Sequence, residues 1–185
     1  MITSRIHQAE GIILKRKNIG ETDRIITLFT RDIGKISCIA KGVRKITSRR
    51  SGHVEVFHRA HISYHEGKGM YTLTEAQTLD AHQGLSGDIV SVSYAYYVCE
   101  LVDALTADRQ KHEDVFPLLS NALTHLDTCK TNKSRNSVVA GFANSLLRSL
   151  GFLPMNETLM AKNITPFIER IIERKLRVPR VMHLL

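Results

Sequence analysis

Tryptophan is absent from this chain of 185 residues, and aromatic side chains make up only 6% of it. Base stacking on aromatic platforms is therefore not expected to be its main mode of contact with any nucleic acid. Cysteine is scarce: Cys38, Cys99 and Cys129 are widely spaced, odd in number and form no C-x-x-C pair. A disulfide framework and a cysteine zinc site are thus not expected, and three reduced, buried thiols fit a cytosolic protein. No run of about 18 apolar residues occurs, and the opening MITSRIHQAEG has no apolar h-region. Neither a membrane span nor a secretion signal is expected.

Catalytic patterns are missing as well. There is no nucleophile elbow, P-loop or paired-carboxylate spacing, and Gly67 and Gly69 read as a turn. No enzymatic activity and no cofactor are expected. Nine histidines invite a metal site, with His53, His58, His61 and His65 clustered. On a strand, however, His61 and His65 share a face about 13 Å apart, too far for tight chelation. They are expected to fill strand and surface positions, with no metal bound.

Positive charge is what the chain does have. The formal net charge is +8 and the pI about 9.6, which implies a polyanionic partner: nucleic acid first, an anionic membrane second. Residues 1–80 hold 14 Lys+Arg against 8 Asp+Glu, residues 81–130 hold 3 against 7, and residues 131–185 hold 9 against 3. A basic, an acidic and a basic block suggest at least two functional surfaces. The sharpest concentration follows Gly42, where Arg44, Lys45, Arg49 and Arg50 occur with no acid among them. Thr47, Ser48 and Ser51 add hydroxyls suited to phosphate oxygens. Taken alone, such a loop is more often a solvated, solubilising segment.

Alternation of apolar residues predicts five strands in residues 9–80, at 9–19, 22–30, 34–41, 53–65 and 70–79, with a bulge near 57–59. Five antiparallel strands in so short a span suit a small closed barrel, because closure removes exposed edges. An OB-type barrel is the natural candidate, with an SH3-like barrel as the alternative. From Asp88 the period becomes helical, at 88–105, 113–126 and 134–150, with a last helix at 167–176 opened by Thr165 and Pro166 as N-cap and N1. The expected fold class is α+β: an N-terminal five-stranded OB-type barrel (1–80) followed by a C-terminal α-helical bundle (81–185).

The segment Ile19-Gly20-Glu21-Thr22-Asp23-Arg24 continues through Leu28-Phe29-Thr30 to Gly34-Lys35 and Ala40-Lys41-Gly42-Val43-Arg44. In content, order and spacing it resembles the bacterial RecO recombination mediator family. Leu73-Thr74-Glu75-Ala76 and the helical ending at Leu150-Gly151-Phe152 resemble it too. The family usually carries a four-cysteine zinc module after that helix, whereas residues 154–163 here hold no cysteine. The resemblance is therefore to a shortened form, and zinc is not carried over. It implies a non-enzymatic DNA repair protein, cytoplasmic and nucleoid-associated. Such a protein binds single- and double-stranded DNA and anneals complementary strands. With RecR, it helps load RecA onto DNA coated by single-strand-binding protein, whose C-terminal tail it binds. The same barrel and charge would also serve an RNA-binding OB module.

On this reading the DNA-binding candidates are Lys15, Arg16 and Lys17 on the first strand and Arg24 on the second. Arg31 and Lys35 flank the next turn, and Lys41, Arg44, Lys45, Arg49 and Arg50 follow in the loop. Arg24 is also a candidate brace for the turn beside Glu21 and Asp23. Phe29, Tyr64 and Tyr71 are the aromatic residues near the barrel, each more suited to core than to ligand. A possible second basic patch comprises Arg170, Arg174, Lys175, Arg177 and Arg180; it extends the DNA track, meets an acidic partner tail, or is a solvated helical face. Tyr94, Tyr97 and Leu101 are candidates for an apolar groove taking a partner peptide, with core packing as the competing use.

Overall fold

The computed structural model describes residues 6–67 and 69–178. Five strands form a closed barrel: β1 (Ile6–Ile19), β2 (Asp23–Thr30), β3 (Gly34–Ala40), β4 (Arg59–His65) and β5 (Tyr71–Asp80). They run in the cyclic order β1-β2-β3-β5-β4, antiparallel except for β3 and β5. Residues that alternate inward (Ile13 from β1, Ile26 and Leu28 from β2, Ile36 and Cys38 from β3, Ile62 from β4) form one core with the loop residues Val43 and Val54. Burial pushes the Cys38 thiol up to about 12, so this cysteine behaves as a small hydrophobe.

The strand expected at 53–65 is shorter than alternation implies. Its first half, up to Arg59, is the end of a 3-10 turn at Ser51–His53 and an irregular approach in which Phe57 has φ +74°. Phe57 N–H donates to Ile13 O (2.9 Å) and Ile13 N–H to His58 O (3.0 Å), so this approach is held by two backbone bonds to β1. Val54 and Phe57 are both buried although the segment is irregular, and it is the spacing of Val54 and Val56 ahead of Ala60 that reads as strand. The bulges fall at Ile13/Lys15 in β1 and at Arg59/Ala60 and Ser63/Tyr64 in the β4–β5 pairing.

The barrel has a weak seam, since β3 and β5 pair only at Cys38↔Tyr71 and Ile39↔Thr72. A strap from much later in the sequence, Ala107–Lys111, belongs to this compact unit. Arg109 N–H donates to Lys35 O (2.8 Å), and the Arg109 guanidinium lies 4.9 Å from the centre of the Tyr71 ring. The strap thus touches β3 and β5, one on each side of the seam. A split at residue 80 assigns these five residues to the helices; packing assigns them to the barrel.

The second unit holds α1 (Ile89–Leu105), α2 (Val115–Thr128), α3 (Asn132–Ser149) and α4 (Ala161–Ile171). Asp88 caps α1 by accepting from Val90 N–H and Ser91 N–H, and Thr131 caps α3 by accepting from Ser134 N–H. Gly151, at φ +78°, lets the chain leave α3 in a left-handed turn closed by Phe152 N–H to Leu147 O (2.8 Å). The last helix departs from expectation. It begins after Met160, carries Pro166 inside it and ends at Ile171, with Glu173 at φ +53°. Thr165 does not cap a helix; its hydroxyl bonds the Tyr97 hydroxyl at 2.8 Å. That contact, with Ile164 and Ile168 fully buried, outweighs the one backbone bond that Pro166 forgoes. Tyr94, Tyr97 and Leu101 are buried, and Tyr94 donates to Asn136 Oδ1 at 2.8 Å, so all three serve the core.

Candidate nucleic-acid interface

One end of the barrel gathers the β1–β2 turn and the loop that follows β3. Asp23, first residue of β2, accepts from Gly42 N–H (2.7 Å) and from the Thr22 hydroxyl (2.9 Å). The Gly42 bond, then Thr22 and the nearby Lys41 and Lys45 charges, hold its carboxyl below the usual range. Arg44 N–H donates to Thr22 O (2.9 Å), and its guanidinium to Gly20 O (3.0 Å). Gly42 takes φ +65°, turning the chain out of β3. Farther along, the Arg50 guanidinium donates to Lys41 O (2.7 Å), Leu73 O (2.9 Å) and Thr74 O (3.4 Å). With Val43 buried in the barrel core, the basic loop is fixed at both ends.

The eleven candidate cations fall into groups with different surroundings. Lys41, Arg44, Lys45 and Arg49 are exposed on the loop, while Arg50 is half-buried and occupied by its three carbonyls. Lys15 and Lys17 are exposed on the outer face, opposite Thr27 and Ile25, which in turn face Ser37 and Ile39 of β3. Arg16 and Arg24 lie in the alternate row, opposite the core residues Ile26 and Ala40, and meet at Glu55 on the barrel rim. Arg24 also donates to Asn18 Oδ1 at 3.0 Å. It is therefore a brace, but its partners are Asn18 and Glu55 rather than Glu21 or Asp23, because alternation turns neighbours Asp23 and Arg24 to opposite sides.

Arg31 and Lys35 lie at the other end of β2 and β3, roughly 23 Å along the strand from Asp23 at the usual rise. Arg31 and Arg59 both bind Glu10, at 3.3 Å and 2.5 Å. Burial raises the Glu10 pKa, but the two guanidiniums outweigh it and leave the carboxyl below its ordinary value. Lys35 is buried, with its Nζ 3.6 Å from Asp108 Oδ1 of the strap. Neither shares a surface with the loop cluster.

A depression of about 400 Å³ lies within the loop end, lined by Arg24, Arg44, Lys45, Ile46, Ser51 and Glu55. A groove of about 550 Å³ on the outer side of β4 and β5 opens beside Arg49 and Arg50, with Gln8, His61, Glu75 and Gln77 along it. The aromatic candidates present no open ring face. Phe29 and Tyr64 are buried, Tyr64 against His7 and Tyr71, and Tyr71 is covered by Arg109. His53 Nδ1 accepts from Thr78 N–H (3.3 Å) and sits 2.9 Å from its hydroxyl, and His58 is 3.4 Å from the same hydroxyl. These two histidines latch the loop to β5, while His61 is exposed and His65 contacts Glu66 O. Among the described residues no group of three or more His, Cys, Asp or Glu side chains is placed to hold a metal ion.

The second basic patch lies in the helical unit. Arg170 stands over the Phe167 ring at 5.9 Å, and Lys175 pairs with Glu169 at 2.6 Å. Glu100 accepts from Arg177 N–H and Val178 N–H at 2.8 and 2.9 Å, tying this segment to α1. Arg174 is exposed, and Arg180 lies outside the described residues. Three features of the barrel unit escape the sequence reading. Glu55 gives no local sign that it will gather two arginines, and nothing in the strap's sequence marks it for the barrel. Ile46, an apolar residue inside a polar, cationic run, is a signal that composition does contain.

A family model described as Recombination protein O N terminal matches residues 1–82, and one described as Recombination protein O C terminal matches residues 86–156. A DNA repair protein RecO of Heliobacterium modesticaldum is 41% identical over 115 residues, 62% of this chain and 42% of the relative. Those of Symbiobacterium thermophilum and Roseiflexus sp. are 31% and 30% identical over 149 and 150 residues. These cover 80% and 81% of this chain and 58% and 52% of the relatives. The chain spans about half the length of the curated relatives it matches. The closed five-stranded barrel, the helices that follow it and two family models that together match most of the sequence place the chain in the recombination protein O family.

Proposed function

We propose that this chain binds single- and double-stranded DNA through the loop at residues 41–52 and the adjoining outer face of β1–β3, and anneals complementary strands there. The observation that carries this reading is a rigid loop displaying exposed Lys41, Lys45 and Arg49 near Lys17 at one end of the barrel. None of the ion pairs among the described residues takes up these four side chains. Annealing needs no catalytic group. Two strands repel each other, and cations that neutralise phosphates while leaving the bases largely uncontacted lower that repulsion without fixing a sequence. Membership of the recombination protein O family supports extending the role to recombination mediation. In that role the chain works with RecR to assist loading of RecA, and binds the C-terminal tail of single-strand-binding protein.

Fluorescence titration of a labelled single-stranded oligonucleotide tests the DNA reading. Four cations released onto phosphates give a slope of log affinity against log salt of about −3, at roughly −0.7 per phosphate. The triple variant Lys41→Glu, Lys45→Glu, Arg49→Glu leaves the structural arginines Arg44 and Arg50 in place and should reduce that slope to near −1. A flat salt response in the parent, or unchanged affinity in the variant, refutes the proposal.

A further inference from the structure

Ile46 is the most exposed of the described large hydrophobic residues, at 105%, with Met155 next at 81%. Single exposed apolar side chains are common, and exposure alone means little. The setting of this one is different. Ile46 and Thr47 are the central residues of a turn closed by Ser48 N–H to Lys45 O (2.9 Å). Before the turn, Val43 is buried in the barrel core, and Lys45 N–H donates to Gly42 O (3.1 Å). After it, the Ser51 hydroxyl donates to Ser48 O (3.1 Å), and Arg50 is held by three carbonyls. The turn is thus braced on both sides, and the isoleucine stands off the protein at its tip. Lys41, Arg44, Lys45 and Arg49, all exposed, share its loop, and the depression beside Ile46 is lined by Arg24, Arg44, Lys45 and Ser51.

We propose that Ile46 is an apolar wedge that enters between adjacent bases of the strand whose phosphates lie on the surrounding cations. The inference rests on the DNA-binding reading and adds a second, apolar contact to it. Charge selects a polyanion as the partner, and an isoleucine held beyond those charges reaches past the phosphates to the largest apolar surface DNA has, the faces of its bases. Aliphatic side chains used this way part a base step and hold it open. A strand opened at one step and neutralised beside it presents unstacked bases to a complementary strand, which is what a search for register requires. The wedge also fits a chain without tryptophan and without an open aromatic platform on the barrel.

The absence of tryptophan makes the test clean, because Ile46→Trp gives the chain a single reporter at the site. Its emission is followed on adding a single-stranded oligonucleotide, an abasic oligonucleotide of equal length, or vesicles containing phosphatidylglycerol. The proposal expects quenching by the base-bearing strand and no change with the abasic strand, although both bind with the same salt dependence. In parallel, Ile46→Ser in the otherwise unaltered chain should bind the base-bearing strand roughly tenfold more weakly, with the salt slope unchanged. It should also lose the rise in 2-aminopurine fluorescence that the parent produces. Equal responses to both strands, or unweakened binding by Ile46→Ser, overturn the wedge and leave the phosphate reading standing. Failure of the parent to bind either strand at low salt overturns both. A blue-shifted response to vesicles without quenching by DNA reassigns Ile46 to a bilayer and overturns the proposal.

Discussion

Glu55 sits at the rim of the barrel with Arg16 on one carboxylate oxygen and Arg24 on the other. If cations in this region bind phosphate, one carboxylate is holding two of them back. Glu55→Gln removes its charge while keeping its size and one hydrogen-bonding oxygen. Folding should hardly change. Ion pairs at the surface are worth about 0–1 kcal/mol each, and Arg24 keeps its bond to Asn18, so the loss of both pairs should lower Tm by no more than about 4–8 °C. DNA binding, by contrast, should strengthen. Two guanidiniums set free to meet phosphates make the slope of log affinity against log salt steeper by up to about 1.4 on single strands. Between about 50 and 200 mM salt the variant should therefore lose about sevenfold more affinity than the parent, starting from tighter binding. Fluorescence anisotropy with one labelled oligonucleotide at four salt concentrations measures both quantities. Identical slopes for parent and variant, or weaker binding by the variant at low salt, would refute the placing of the DNA track over this rim.

Other expectations follow from the same contacts. Gly34 has φ +75°, and a Cβ there would lie 2.0 Å from Gln110 O of the strap. Gly34→Ala should cost more than about 2 kcal/mol in urea denaturation, because backbone strain and displacement of the strap add; a loss below about 0.5 kcal/mol would show that the strap is not held there. The adjacent arginines Arg49 and Arg50 should separate function from stability. Arg50→Ala strands backbone carbonyls and should lower stability by about 1–3 kcal/mol, whereas Arg49→Ala should weaken DNA binding with stability unchanged. Equal effects on both properties would contradict the assignment. Asp23, Asp88 and Glu10 all ionise below their usual range in the folded chain. Their contribution is complete above the unfolded carboxylate pKa, near 4, and is lost as pH falls through the lower folded values. Tm should drop below about pH 4, and Asp23→Asn should flatten part of that drop; a parent-like acid profile in the variant would exclude Asp23 as an anchor.

The barrel is legible in the sequence because its inward row is nearly unbroken from Ile26 and Leu28 to Ile36 and Cys38, and each β-turn has a glycine or polar residue to close it. The first three helices are equally plain from their apolar period, with Asp88 opening α1 and Gly151 closing α3, although α3 starts two residues earlier than expected, capped by Thr131. What alternation cannot distinguish is a strand from an irregular segment whose apolar residues happen to be buried, as at Val54 and Phe57. Nor can capping preferences foresee that the Thr165 hydroxyl is taken by Tyr97, 68 residues earlier, which keeps Pro166 inside a helix. At the site, residue type reveals which side chains are cations but not how each is employed. Arg16, Arg24, Arg31 and Lys35 meet Glu55, Glu10 or Asp108, partners 21 to 73 positions away, and Arg50 meets backbone carbonyls that no sequence pattern marks. Arg44 likewise reaches Gly20 O, and of the other candidates Lys17, Lys41, Lys45 and Arg49 are exposed and enter none of the ion pairs given for the described residues.

Amide shift mapping of the isotope-labelled chain during titration with a short single-stranded oligonucleotide tests the central claim most directly. The account predicts saturable, salt-sensitive shifts confined to residues 15–24 on β1, its turn and the start of β2, and to residues 41–52 of the loop, with Ile46 among the largest. Shifts concentrated at Arg31, at Arg59 or on the helices, with residues 41–52 unmoved, would contradict it.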